Sequence, residues 1–121
     1  MPNYWIDHIH LMSPDPVKTG EFYEKMFGAR KIIRDLGNGR TIVEVNFNET
    51  AILISRPRGD SSQFGLAHFG MATDNLNKAV EELKAKGVEF TQDIREIKSG
   101  FKISFLLAKE NVPIELQEGS L

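Results

Sequence analysis

The sequence predicts an α+β fold of paired βαβββ modules that form a metal- or ligand-binding cleft. Three observations predict it. The order strand, helix, three strands reads twice along the 121 residues, the spacings of the two halves match, and a Pro-, Gly-, Ser- and charge-rich stretch at 57–65, PRGDSSQFG, stands between them. The chain is therefore expected to be one domain over 1–121, with module one at about 4–56, a linker at about 57–65 and module two at about 66–118.

The first strand is Ile6-Asp7-His8-Ile9-His10-Leu11, an alternating run in which side chains two apart share a face, so His8 and His10 point the same way. Asp15 caps the helix that follows and Pro16 suits its first position, so a helix is expected from Pro16 to Phe27, with Gly28 as its left-handed end. Its apolar side, Phe22, Tyr23, Met26 and Phe27, is expected in the core. Three strands follow: Ala29 to Arg34, then Arg40 to Phe47 after the turn Gly37-Asn38-Gly39, then Thr50 to Ser55 after Asn48-Glu49.

Beyond the linker, Leu66 to Ala72 is a strand carrying the third histidine, His68. Thr73 or Asp74 is a cap, and Leu76, Ala79, Val80 and Leu83 make the stripe of an amphipathic helix ending at Gly87. A short strand at Val88 to Thr91, a charged loop at Asp93 to Gly100, a strand at Lys102 to Leu107, a turn at Lys109 to Asn111 and a last strand at Pro113 to Gln117 complete the second module.

Composition excludes several functions. With 15 Lys plus Arg against 17 Asp plus Glu and no block of like charge, nucleic acid is not an expected partner. With no cysteine, any metal is held by nitrogen and oxygen, and there is no nucleophilic thiol. No stretch is apolar enough for a membrane span and no basic start marks a signal peptide, so a cytoplasmic location is expected.

Spacing then picks out residues. His8 to Leu53 is 45 residues and His68 to Glu115 is 47, while Val43 to Leu53 and Phe105 to Glu115 are both 10. His8 thus corresponds to His68 and Leu53 to Glu115. Ile114 and Leu116 should pack under the helix, which turns Glu115 into the cleft. Two imidazoles and a carboxylate converging from distant segments are what a divalent ion needs. Glu44 and Asn46 alternate with Val43, Val45 and Phe47 and should face the cleft too, making Glu44 a candidate base or fourth ligand. His10 shares the face of His8 and is a candidate substrate contact or a group supporting the ligands, readings ranked above that of an alternative ligand. Arg56 and Arg58, and Arg95, Lys98 and Lys102, have the chemistry to clamp an anion but read by default as solvated loop charges.

At DHIHLMSPDP, FYEKMFGA, LAHFGMATDN, ELKAKGVEF and FLLAKENVPIELQE the chain resembles the vicinal oxygen chelate superfamily, which groups glyoxalase I, methylmalonyl-CoA epimerase, extradiol dioxygenases and fosfomycin- and bleomycin-resistance proteins. The ordered set covers nearly the whole chain. The resemblance implies four metal-ligand positions, falling on His8, Leu53, His68 and Glu115, of which three can ligate. Leu53 stands where glyoxalase I and the epimerase place Glu or Gln, and the surviving set of two histidines and a carboxylate looks like the dioxygenase and fosfomycin-resistance pattern.

The leading expectation is a metalloenzyme in which a divalent ion on His8, His68 and Glu115 chelates vicinal oxygens of a small substrate, with Fe(II) or Mn(II) favoured and Zn or Ni also suited. The alternatives are a glyoxalase- or epimerase-like lyase or isomerase, using Glu44 or His10 as catalytic groups, and a metal-free protein that binds a drug-like ligand. A homodimer is expected, since open modules leave strand edges and apolar walls that pairing covers.

Overall fold

The computed structural model describes residues 2–120, which form two helices and eight strands in the α+β arrangement of a twice-repeated βαβββ. Contacts divide the chain into two units, one of residues His8–Ala67 and one of the other described residues.

In the His8–Ala67 unit, β1 (Tyr4–Met12) runs parallel to β4 (Thr50–Ser55) from His8 onward. β3 (Arg40–Phe47) pairs antiparallel with both β4 and β2 (Arg30–Gly37), giving the order β2-β3-β4-β1. The helix between β1 and β2, α1 (Pro16–Phe27), starts where expected: the Lys18 amide donates to the Asp15 carboxylate at 3.2 Å, and Gly28 closes the helix at φ 69° with its N–H on the Glu24 carbonyl. The core is Ala29, Val43, Val45 and Ile54, with Leu11, Val17, Tyr23, Phe47 and Ile52 packed against it.

The inward side of α1 differs from the expectation. Pro16 and Gly20 are its buried residues, whereas Phe22, Met26 and Phe27 are 51%, 64% and 63% exposed. At 3.6 residues per turn, Phe22 lies about 200° around the axis from Gly20. Phe27 is on the inner side but emerges at the helix end, stacked on Tyr23 and tilted against Phe47. Gly20 lets α1 approach the sheet closely, since a Cβ there would stand 2.7 Å from Val43 Cγ1, a side chain that is itself fully buried. Gly20→Val is therefore expected to cost about 2 kcal/mol through overpacking, read as an earlier denaturation midpoint.

In the other unit, β5 (Gly65–Thr73) runs parallel to β8 (Pro113–Glu118), and β7 (Phe101–Leu107) pairs antiparallel with β8 and with β6 (Glu89–Lys98), giving β5-β8-β7-β6. The helix α2 (Leu76–Ala85) packs its stripe of Leu76, Ala79 and Val80 on Leu106, Ile114 and Leu116. Its cap is Asn75, which accepts from the Lys78 amide at 3.1 Å, rather than Thr73 or Asp74. Asp74 is engaged elsewhere: the Asn3 backbone amide and side chain donate to it at 3.0 and 2.9 Å and hold its carboxyl below the usual range. The first helical amide, of Leu76, donates to Glu118 of β8 at 2.8 Å.

The segment expected as a charged loop after Thr91 is strand through Lys98. Its register against β7 shifts three times, and its charged residues are exposed on an edge strand. Such bulges remove the alternation by which a strand is recognised in a sequence. Among the described residues no helix is long and apolar enough to cross a membrane.

Candidate active site

Strand register places the candidate residues of the His8–Ala67 unit. His10 pairs with Leu53, and Leu53 with Glu44; one step along, His8 pairs with Ala51, and Ala51 with Asn46. Residues paired across strands share a face. Glu44, Leu53 and His10 thus form one row and Asn46, Ala51 and His8 the next, on the face opposite the core residues Val43, Val45 and Ile54. His8 is 2% exposed, and its ring meets that of His10 edge-on at 6.1 Å. His10 Nε2 lies 2.7 Å from the Ser55 hydroxyl. The Arg34 Nε–H donates to Glu44 Oε1 at 2.8 Å, which fixes one carboxylate oxygen and leaves the other for a different partner.

In the other unit, Glu115 pairs with Gly70 of β5 and Phe105 of β7. Between the core residues Ile114 and Leu116, it points away from α2 as the alternation predicts. His68 Nε2 is 3.9 Å from Glu115 Oε1, both side chains are largely buried, and the His68 ring stands edge-on to Phe105 at 5.2 Å. An imidazole and a carboxylate side by side in a largely dry setting form a pair whose nitrogen and oxygen suit a divalent cation.

Laying one register on the other matches His8 with His68 and Leu53 with Glu115, as the spacings do, and His10 with Gly70. The spacing of Val43 and Phe105 misleads, however. The residue across from Leu53 is Glu44, so Glu44 is the counterpart of Phe105, and Val43 belongs to the core. The connections differ: Phe47 and Thr50 flank a two-residue turn, while Leu107 and Pro113 flank a longer one containing a 3₁₀ turn at Lys109–Asn111.

Two residues went unread in the sequence. Arg34 reaches Glu44 across the hairpin, a relation that counting outward from the Gly37-Asn38-Gly39 turn would have exposed. Ser55, two residues beyond Leu53 on the same strand, orients His10. Of the basic residues, Lys102 is paired with Glu118 at 3.9 Å, whereas Arg95 and Lys98 are exposed on β6.

The family model for the Glyoxalase/Bleomycin resistance protein/Dioxygenase superfamily matches residues 5–116, and the chain belongs to that superfamily. Among its relatives, the human mitochondrial methylmalonyl-CoA epimerase is 26% identical over 93% of this chain and 73% of that protein. The uncharacterized protein YwkD of Bacillus subtilis is 29% identical over 93% of this chain and 95% of that protein. The solved structure of Streptomyces coelicolor methylmalonyl-CoA epimerase with 2-nitronate-propionyl-CoA has the same fold, with a TM-score of 0.77 at 24% identity over 96% of this chain and 97% of that one.

Proposed function

We propose that this protein is a divalent-metal-dependent isomerase of the epimerase type, moving a proton at the carbon beside the carbonyl of a small acyl thioester of coenzyme A. The observation that carries the reading is the row Glu44–Leu53–His10 on one face of the sheet. Leucine at position 53 supplies no proton carrier, but the row places one on each side of it. Neighbouring strands are about 4.8 Å apart, so a substrate carbon seated over Leu53 has a carboxylate on one side and an imidazole on the other. Epimerisation needs such a pair, because the proton leaves one face of the carbon and is replaced on the opposite face. The kinship with methylmalonyl-CoA epimerases supports the same class and the thioester substrate.

In this proposal Glu44 accepts the proton from carbon with the carboxylate that Arg34 orients. His10, held by Ser55, delivers a proton from the other side. His8, His68 and Glu115 hold the metal, Mn(II) or Fe(II) by preference and Zn or Ni next, because the set is two imidazoles and one carboxylate with no sulfur. The proposal requires the two modules to present these three side chains to one ion. The residues fit that role: His8 is buried, and His68 and Glu115 are largely buried side by side. Bound there, the cation supplies positive charge at the carbonyl oxygen.

Incubating the metal-loaded protein with a 2-methyl-branched acyl-CoA in deuterated water tests the reading. Exchange of the proton beside the carbonyl, seen by NMR, is the expected result. Oxygen uptake with a catechol and no exchange would favour the second reading, a dioxygenase, which the three-ligand set left by Leu53 supports. Leu53→Glu restores a fourth ligand and is expected to tighten metal binding by roughly tenfold or more, measured by competition with a chelator.

A further inference from the structure

A cavity of about 600 Å³ opens in the His8–Ala67 unit between the start of α1, the start of β3 and the segment after β4. Arg40, Arg56 and Arg58 line it, with Asp15, Thr41 and Ser55. All three arginines are exposed, and the ion pairs among the described residues of this unit engage Lys31 and Arg34 instead. The one carboxylate in the lining, Asp15, accepts the Lys18 amide hydrogen bond. Three guanidiniums therefore outweigh one carboxylate already in use. The helix end is not the source of this character, since Pro16 has no N–H and Asp15 caps the terminus.

Guanidinium forks match the oxygens of carboxylates and phosphates. Three forks offer more donors than a single carboxylate accepts, and the cavity falls in the range of roughly 300–1,000 Å³ typical of small organic ligands. We propose that this cavity binds the diphosphate group of a small organic ligand, clamped by Arg40, Arg56 and Arg58. Ser55, one of the lining residues, joins it to the row described above, because its hydroxyl lies 2.7 Å from His10 Nε2. A ligand anchored here therefore binds beside a residue that touches the imidazole. The inference rests on this unit alone and does not depend on the reaction class.

Pyrophosphate titrated into the full chain, stripped of metal so that no cation binds the probe, tests it by calorimetry and by NMR of the histidine rings. One site per chain is expected, weakened roughly tenfold or more in the Arg56→Ala/Arg58→Ala double variant and by added salt, with the His10 ring signals shifting on binding. Arg95→Ala, on β6 of the other unit, should leave the affinity unchanged. Both variants alter exposed side chains, so the fold is retained. Displacement of pyrophosphate by ADP or by coenzyme A supports the proposal, and their ranking identifies the source of the diphosphate. Displacement by neither, unchanged affinity in the double variant, or an equal loss in Arg95→Ala overturns it. Because the protein is metal-free, any of these results leaves the isomerase reading standing, and failure of the exchange assay leaves this one standing.

Discussion

Alanine in place of His68 or Glu115 is expected to weaken metal binding by about a hundredfold or more and to remove activity with it. The expectation follows from a minimal ligand set. Altering groups that merely support metal ligands already costs about 10–100-fold, and in the proposed set one of three direct donors is lost, with leucine at the fourth position offering nothing in exchange. His68 and Glu115 also sit 3.9 Å apart in a largely buried setting, so each truncation leaves the other polar group in poor surroundings. Some loss of stability is therefore expected as well. Glu115→Gln separates the two effects, since it keeps the volume and hydrogen-bonding capacity but lowers the charge presented to the cation. The measurement is chelator competition on each variant, beside its thermal midpoint.

Glu44→Gln should behave differently, losing about 10²–10⁴ in the rate of proton exchange while metal affinity stays near that of the parent. Gln still accepts the Arg34 hydrogen bond that holds the side chain, so the substitution removes the proton acceptor and spares the geometry. The loss belongs in kcat more than in KM, because a base acts in the transition state and contributes little to substrate binding. Arg34→Ala gives an intermediate result if Arg34 only orients the carboxylate. A Glu44→Gln variant with full exchange activity would move the base to His10.

The parts of the fold that local chemistry dictates were legible from the residues. The Asp15-Pro16 start and Gly28 stop of α1, the two glycine- and asparagine-bearing hairpins of the first module and the Ile114-Glu115-Leu116 alternation all act within a few residues. What depends on a distant partner was not. Asp74 is drawn from capping by Asn3, 71 residues away in sequence, so Asn75 takes its place. β6 gains its strand character from β7 and the bulges between them, with no alternation of its own. Phe22 and Met26 are as apolar as a core residue but fall on the outer side of α1.

For the site, the equivalence of His8 with His68 and Leu53 with Glu115 could be counted, because insertions confined to loops leave the order of strand positions intact. The face of Glu44 was legible from its alternation with Val43 and Val45, but its partner across the strands could not be counted. A difference in turn length shifts the count by one residue and exchanges a core valine for a carboxylate on the opposite face, since side chains alternate along a strand.

Pulsed EPR of the Mn(II)-loaded protein tests whether His8, His68 and Glu115 hold one divalent ion, because it reports the imidazole nitrogens on the metal. Couplings from two histidine nitrogens are predicted at one Mn(II) per chain, one of them vanishing in His8→Ala and the other in His68→Ala. A spectrum without imidazole coupling, or one that both substitutions leave unchanged, would contradict the account.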